Sequence, residues 1–358
     1  MGLMSYHVYE SYANVGVTYF RITDSLDYSS SSLDAIKPIL DIAATNPGTI
    51  SKETVYDNAM CLMFETLNKV DTLMATVRYP KSVKFVFGVA GTDTLVSKSM
   101  LAITLRTFYD VSIGIIPKTY IMENGIDKDR FLSDYQGGIY IMKKNIQRQE
   151  GCMITDDRAS IMRGFDAGND YVVVQELLQD PLVVGGRKTN IRIYMLAVVT
   201  PGSGTKFYMY NDGFMYYTPQ PFVAGTTDAD LNITTGYIDR QVYVDNPLTF
   251  QDLLMSLPPV NANLLYKNIV ALFNLLIAPY IPIFTNENST LPGVKFTIFG
   301  CDIAPSSNFG AKLMEVNKGP DLGYKDDRDR ILKQGMVREA LGIVGILPAL
   351  GSKFLQLG

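Results

Sequence analysis

Short apolar segments of strand type alternate with longer segments of helical type along this 358-residue chain, and this alternation restricts the fold more than any other feature. The strand-type segments are rich in β-branched and aromatic residues and end at glycine, proline or polar residues. We predict strands over 82–90, 137–144, 171–178, 191–199, 206–212, 294–304 and 310–317. We predict helices over 56–74, 96–108, 259–279 and 326–346. The pattern is typical of a mixed α/β (α+β) protein.

Charge and cysteine content exclude several classes of protein. The net charge is −4 and the basic residues are scattered, so we expect neither a nucleic-acid nor a membrane partner. The longest apolar stretches, 274–284 and 341–350, are too short to cross a bilayer and are interrupted by proline. Cys61, Cys152 and Cys301 lie too far apart for a disulfide framework or a zinc cluster. With no secretory signal evident, we expect a cytoplasmic protein.

The common catalytic motifs do not fit this sequence. His7 is the single histidine, which argues against Ser-His-Asp, Cys-His and multi-histidine metal sites. The segment "GVAGTD", after the strand predicted over 82–90, lacks the third glycine of a dinucleotide-binding fingerprint, and the chain has no Gly-Lys-Ser/Thr of a P-loop. Any chemistry must use another set of residues.

Three oxygen-bearing side chains on the predicted hairpin of 294–304 and 310–317 provide a candidate set. Asp302 lies near the end of the first strand, and Glu315 and Asn317 are two apart on the second, so the latter two share a face. Mg²⁺ prefers such hard oxygen ligands together with substrate phosphates. The alternative is that Asp302 and Glu315 are ordinary surface residues, with Asn317 starting the turn at "NKGP".

Five motifs in order extend the argument beyond the hairpin. They are "IPKTYIM", "YIMKKN", "VVVQELLQDPLVVGGRKTNIRIYML", "YNDGFMYYTPQPF" and "FGCDIAPSSNFGAKLMEVNKGPDL". Over roughly 95–322 the chain resembles the tubulin tyrosine ligase-like family of ATP-grasp amino-acid ligases. The resemblance implies an ATP-grasp fold, in which two β-sheet lobes hold the nucleotide. We expect an N-terminal α/β domain (1–94), a central lobe (95–178) and a C-terminal lobe with the metal site and a terminal helix (179–358).

The resemblance also implies roles for individual residues. The phosphate-binding and catalytic cations would be Lys98, Lys188 and Arg192, with Lys143 as a further contact to the nucleotide phosphates. The hinge that binds adenine would be Gln175, Glu176, Leu177 and Leu178. The magnesium ligands would be Asp302, Glu315 and Asn317. Strand alternation predicts that Lys188 and Arg192 share a face and that Arg187 points away.

The acceptor half of the site departs from the family pattern. Asn190 stands where the family has Asp, Tyr216 where it often has Arg, and Thr234 and Thr235 lie in a loose match to the family's "HLTN" element. We expect these residues to face the substrates other than the nucleotide. We also expect the 145–151 loop to act as a lid.

The resemblance implies an active ligase that uses ATP and Mg²⁺. It would add an amino acid to a protein or peptide as a post-translational modification, through an acyl-phosphate intermediate. Tubulin is a doubtful acceptor, because enzymes acting on its acidic tails commonly need a basic surface and this chain is acidic. Two alternatives stay open. One is a nucleotide-binding pseudoenzyme that serves as an interaction protein, and the other is an ATP-grasp ligase of a small molecule or a non-tubulin peptide.

Overall fold

The computed structural model describes residues 5–8, 19–23, 61–64, 74, 84–109, 113–145, 151–166, 168–320, 322, 324–346 and 351–358. The strands of this part are β1 (Ser5–Val8), β2 (Tyr19–Thr23), β3 (Cys61–Phe64), β4 (Phe85–Phe87), β5 (Thr119–Ile121), β6 (Tyr140–Lys144), β7 (Cys152–Thr155), β8 (Tyr171–Glu176), β9 (Val183–Val184), β10 (Arg187–Thr200), β11 (Gly204–Tyr217), β12 (Val294–Pro305), β13 (Ala311–Lys318) and β14 (Phe354–Gln356). The helices are α1 (Asp93–Val96), α2 (Lys98–Phe108), α3 (Lys128–Asp134), α4 (Arg158–Gly164), α5 (Ala229–Asn232), α6 (Val242–Asp245), α7 (Phe250–Ser256), α8 (Pro259–Ile277), α9 (Tyr280–Glu287) and α10 (Asp327–Val344).

The larger of the two sheets in the described part carries most of the polar site residues. Its strand order is β1-β2-β3-β4-β12-β10-β11-β14, with β13 added to β12 and β9 added to β10. Strands β2, β3, β4 and β12 pair in parallel, whereas β10, β11 and β13 pair antiparallel to their neighbours. Strand β12 is buried along all of its length after Val294, because β10 covers one edge and β4 and β13 share the other.

The smaller sheet has the order β5-β8-β6-β7 and its own apolar core. Helix α3 packs Phe131 against the rings of Tyr120, Tyr140 and Phe165, with ring centroids 5.2–5.6 Å apart. This core, with β6 and β8 at its centre, is separate from that of the large sheet, and we call the unit around it the second lobe.

Long helices cover the large sheet. Phe273 of α8, Phe284 of α9 and Met336 of α10 are fully buried in its core. Helix α10 begins at Asp326, whose side chain accepts a hydrogen bond from the N–H of Asp329 at 2.9 Å. It ends at Gly345, which has the left-handed φ of 92° that glycine adopts without steric cost.

The predicted mixed α/β class is confirmed, and most predicted strands and helices have the expected type. The helix predicted over 259–279 ends at Ile277, and a second helix, α9, follows Pro279. The helix predicted over 56–74 is wrong at Cys61–Phe64, which form a strand that pairs in parallel with β2 and β4, whereas Met74 is helical. The other residues of that prediction lie outside the described part of the chain. A four-residue apolar run fits either type, and inter-strand hydrogen bonds decided it.

Helix α8 changes the expectation drawn from the apolar stretches. Among the described residues it is long and apolar enough to cross a membrane by length and composition alone. Its buried residues, however, pack into the core of the large sheet, which is the arrangement of a core helix. These residues are Leu265, Ile269, Leu272, Phe273, Leu276 and Ile277.

Candidate functional site

One face of the large sheet gathers the predicted polar residues. On β10, Lys188, Asn190 and Arg192 alternate with core-facing residues and therefore share a face. Arg192 lies directly opposite Asp302 of β12, and Asp302 lies opposite Glu315 of β13. The β12–β13 register shifts directly after Asp302, and such a bulge redirects side chains at functional sites.

Arg192 is held by Asp302 through two hydrogen bonds. Its Nε donates to Oδ1 at 2.5 Å, and its Nη2 donates to Oδ2 at 2.7 Å. The side chains are only 12% and 11% exposed, so little water reaches them. Burial acts to lower the pKa of Arg192, but the charge of Asp302 outweighs it, and the pKa lies well above its ordinary value. The ring centroid of Tyr216 lies 5.1 Å from the guanidinium carbon.

The three predicted magnesium ligands lie on neighbouring strands. Asn317 Nδ2 donates to Glu315 Oε1 at 3.0 Å. Burial raises the pKa of Asp302 to about 6 in spite of Arg192, and the adjacent Glu315 adds to the rise. Burial also acts to raise the pKa of Glu315, but the charge of Lys143 and the hydrogen bond from Asn317 outweigh it and lower that pKa.

The donor set fits the chemistry of magnesium. Two carboxylates and an amide supply hard oxygen ligands of the kind that Mg²⁺ prefers. Among the residues that the structure describes, no group of three His, Cys, Asp or Glu side chains converges. In a magnesium site of the predicted kind the amide oxygen of Asn317 would be the third ligand, and the bond to Glu315 uses the amide N–H and not that oxygen.

Two predicted lysines approach these carboxylates from other elements. Lys143 on β6 is 7% exposed, and burial lowers its pKa while Glu315 and Asp302 act in the opposite direction. The positive charge of Lys98, at the start of α2, acts to lower the pKa of both Lys143 and Glu315. The two lobes thus bring cations and carboxylates together in one region.

Lys188 lies on the same strand face, at the side nearest the small sheet. Its Nζ donates to the carbonyl of Leu178 at 3.3 Å. Burial lowers its pKa to about 8, the charge of Lys143 lowers it further, and Asp180 opposes the shift. Arg187 points away, as predicted, and donates to the carbonyl of Thr218 at 2.8 Å.

The predicted hinge connects the lobes, and part of its main chain is already in use. The N–H of Glu176 donates to Lys118 O at 3.0 Å, and the N–H of Leu177 donates to Ile139 O at 2.9 Å. A nucleotide base at this hinge would have to use other main-chain groups. Gln175 Nε2 donates to Thr119 Oγ1 at 2.8 Å, whereas its buried Oε1 has no hydrogen-bond partner in the structure.

A narrow cleft joins the hinge to the carboxylates. Its wall includes Gln175 of the hinge, Lys98 of α2 and Glu315 of β13. The apolar part of the wall comprises Val96, Leu101, Ile116, Met314 and Val316.

The predicted acceptor residues lie on β10, on β11 and in the segment that follows α5. Asn190 is directly opposite Tyr216 on β11, and its buried Oδ1 has no hydrogen-bond partner in the structure. Thr234 is half-buried beside Thr235. Thr235 donates its N–H to Tyr217 O at 2.9 Å and accepts from the N–H of Tyr237, so it is already committed to the local fold.

Sequence reasoning missed several residues that act on the predicted ones. Thr119 accepts a hydrogen bond from Gln175, and the negative charge of Asp180 acts to raise the pKa of Lys188. The ring of Phe222 lies 5.8 Å from Lys188 Nζ, and Cys152 lies directly opposite Lys143 in the β6–β7 register. The contacts of Thr119 and Phe222 join segments distant along the chain, which sequence spacing does not reveal. Asp180 and Cys152, by contrast, lie close along the chain to Lys188 and Lys143.

Two sheets with separate cores define a mixed α/β protein consistent with the ATP-grasp fold. Residues 94–350 match the tubulin-tyrosine ligase family. The chain belongs to the tubulin-tyrosine ligase family.

Curated relatives agree with the family match. Human "Probable tubulin polyglutamylase TTLL2" is 27% identical over 285 residues, which are 71% of this chain and 45% of that protein. "Probable alpha-tubulin polyglutamylase Ttll1" of Tetrahymena thermophila is 25% identical over 219 residues, 58% of this chain and 51% of that protein. Mouse "Tubulin monoglycylase TTLL3" is 21% identical over 182 residues, 48% of this chain and 19% of that protein. The chain therefore spans about half or less of these relatives.

Proposed function

We propose that this protein is an ATP- and magnesium-dependent ligase that joins an amino acid to a carboxyl group of a protein or peptide. The terminal phosphoryl group of ATP would pass to a carboxylate oxygen, giving ADP and an acyl phosphate. The amine of the other substrate would then attack the acyl carbon, lose a proton and displace phosphate, forming the amide.

The names of the relatives suggest which substrates to test first. Glutamate and glycine are the first candidates for the donated amino acid, and tubulin is the first candidate acceptor. The net charge of −4 weighs against an acidic acceptor tail, so the acceptor need not be tubulin. We place the activity in the cytoplasm, where tubulin and ATP meet.

One observation carries the proposal: the cations and the carboxylates occupy one buried region between the lobes. The charges of Glu315, Lys98 and Asp302 all contribute to the pKa of Lys143. Phosphoryl transfer needs little covalent help from a protein, and catalysis depends on fixed charges that position and stabilise the transferred group. This set supplies such charges.

Asp302, Glu315 and Asn317 would hold the magnesium. Bound there, Mg²⁺ would supply positive charge to the nucleotide phosphates. The two carboxylates are already desolvated by burial, and the cations around them lower the pKa of Glu315 and so favour its ionised, metal-binding form.

The remaining residues would bind and orient. Lys143 and Lys188 would donate to phosphate oxygens, and Lys98 would meet the transferred group. Arg192, fixed by Asp302 and Tyr216, would stabilise negative charge on the acyl phosphate. Because these groups are buried, they would also exclude water that hydrolyses acyl phosphates.

A nucleotide-binding pseudoenzyme is the second candidate. The observation that favours it is that Asp302 engages two of the three guanidinium nitrogens of Arg192, Nε and Nη2, and that the neutral Asn190 and Tyr216 flank it. Such a protein would bind Mg-ATP without transferring phosphate.

The test is to incubate the protein with Mg-ATP, labelled amino acids, and tubulin or a cell lysate, and to locate any added mass. We expect amino-acid-dependent phosphate release and a mass increase on an acceptor. ATP binding without turnover for any acceptor would favour the pseudoenzyme. Turnover with free amino acids or peptides alone would favour a ligase of small substrates.

Adjacent lysines provide a matched control for the nucleotide site. Lys143 is buried near the carboxylates, whereas Lys144 points outward and pairs with the exposed Asp170. We expect Lys143→Met to weaken ATP binding by about 10- to 100-fold, the value of one charge-assisted hydrogen bond. Lys144→Met should bind ATP as the wild type does. Equal effects of the two substitutions in a fluorescent-nucleotide titration would remove Lys143 from the site.

A further inference from the structure

A short segment that the ligand assignments do not use covers Lys188. The segment comprises residues 218–225, which we call the strap, and it follows β11. Its Phe222 ring centroid lies 5.8 Å from Lys188 Nζ, within the range of a cation–π contact. Lys188 itself is only 5% exposed, although it carries a charged group.

The strap is anchored at both ends. Near its start, the guanidinium of Arg187 donates to the carbonyl oxygens of Thr218 and Pro219. In its middle, the N–H of Phe222 donates to Gly186 O at 2.9 Å. These bonds fix the first half of the strap to the turn that leads into β10.

The far end of the strap is attached to the chain that leaves the hinge. The N–H of Gly225 donates to Gln179 Oε1 at 3.0 Å, and Gln179 Nε2 donates to Leu177 O at 3.3 Å. The strap therefore spans from the β9–β10 turn to the hinge, and Lys188 lies beneath it. Val223, the next residue after Phe222, is 55% exposed and makes no part of this cover.

We propose that Phe222 is a positioning residue that keeps water away from Lys188 and holds its ammonium group for a polyphosphate ligand. The inference rests on the proposed function in one respect, the assignment of Lys188 to the nucleotide phosphates. A desolvated cation interacts more strongly with phosphate than a hydrated one, because the local dielectric constant is lower. The flat ring also restricts the long lysine side chain and so reduces the entropy lost on binding.

The protonation of Lys188 provides a readout that a merely structural role of Phe222 would not move. The groups that face Lys188 are the Leu178 carbonyl, the Phe222 ring, and the charges of Lys143 and Asp180. Burial lowers the pKa of Lys188 to about 8. Opening the cover would admit water and return the pKa toward the ordinary lysine value of about 10.4.

The test is trace acetylation of the full-length protein with labelled acetic anhydride at a series of pH values, followed by peptide mass spectrometry. In the wild type we expect the midpoint of Lys188 reactivity near pH 8. Phe222→Ala should raise the midpoint by about 1 pH unit or more. Phe222→Leu should restore an apolar cover and a midpoint close to the wild type, and Val223→Ala should not change it.

A second variant tests the same cover in case Phe222→Ala does not fold. Gln179→Ala removes the anchor of Gly225 without touching the Phe222 ring, and should raise the midpoint in the same direction. An unchanged midpoint in both variants, or an equal shift in Val223→Ala, overturns the proposal.

The same labelling separates this inference from the proposed function. Acetylation needs no nucleotide, so it reports on the cover even if the protein transfers nothing. Mg-ATP should slow acetylation of wild-type Lys188 at least about tenfold at saturation, as expected for a lysine bound to phosphate. Absence of protection would remove Lys188 from the nucleotide site and contradict the phosphate role, while the midpoint shift would still decide whether Phe222 covers it.

Discussion

Replacing Asp302 tests whether the Arg192–Asp302 pair holds the centre of the site together. Asp302→Asn keeps the size and shape of the side chain but removes its charge. Arg192 would then stay buried with a neutral partner, since a guanidinium does not lose its proton in proteins. The loss of a metal ligand by itself would affect only metal binding, whereas the buried pair predicts a loss of stability as well.

The magnitude follows from the geometry. Removing one partner of a buried ion pair costs about 3–5 kcal/mol, because the remaining charge is uncompensated. A Coulomb energy of about 4 kcal/mol, for unit charges about 4 Å apart at an effective dielectric constant of about 20, agrees with that range. Glu315 also acts on Arg192 and the Tyr216 ring lies over it, so partial compensation remains. We therefore expect about 3 kcal/mol for Asp302→Asn.

Urea unfolding of the metal-free protein measures this effect. Arg192→Met should cost less, because a buried carboxyl group can neutralise itself by taking a proton. The double variant should be more stable than the sum of the two losses predicts, with a coupling energy of about 2 kcal/mol or more. The exposed pair Lys144–Asp170 is the control, with an expected coupling below about 1 kcal/mol. A loss below about 1 kcal/mol for Asp302→Asn, or strict additivity, would refute the reasoning.

Two further predictions concern stability. A Cβ atom at Gly213 would lie 2.1 Å from the main-chain oxygen of Arg192, so Gly213→Ala should reduce the free energy of unfolding by about 1–3 kcal/mol. Gly351→Ala, with open space around it, should change it by less than about 0.5 kcal/mol in the same urea titration. Burial lowers the pKa of Lys295 to about 8, so from pH 8 up to its unfolded value of about 10.4 the unfolded chain binds more protons and stability rises with pH. Lys295→Met should remove that rise. If the difference in the free energy of unfolding between the variant and the wild type stays constant from pH 8 to about 10.4, the prediction is wrong.

The sequence predicted the type and place of the strands that carry the site. The hairpin predicted over 294–304 and 310–317 is observed as Val294–Pro305 and Ala311–Lys318. Its apolar runs are long, and one short turn fixes the pairing. The helix predicted over 56–74 is not formed at residues 61–64, because these residues make hydrogen bonds to strands elsewhere in the chain. Local periodicity contains no information about such bonds.

For the candidate site, the residue types were predictable but their partners were not. Side-chain alternation along β10 predicted that Lys188 and Arg192 share a face and that Arg187 points to the other side, and the structure agrees. The two hydrogen bonds from Nε and Nη2 of Arg192 to Asp302 depend on the β10–β12 register. The lid expected over 145–151 lies largely in residues 146–150, outside the described part of the chain, and stays a prediction.

By itself, the sequence determined that the chain builds strands with alternating faces and that cations, carboxylates and an amide occupy them, because side-chain direction follows from local backbone geometry. Only the tertiary structure decided which of these groups meet: Asp302 with Arg192, Lys143 with Glu315, and Phe222 with Lys188. Those contacts join segments that are remote along the chain, and the burial they create shifts the pKa values of Asp302, Lys143 and Lys188. Burial depends on how sheets and lobes pack, and no local pattern of residues records it.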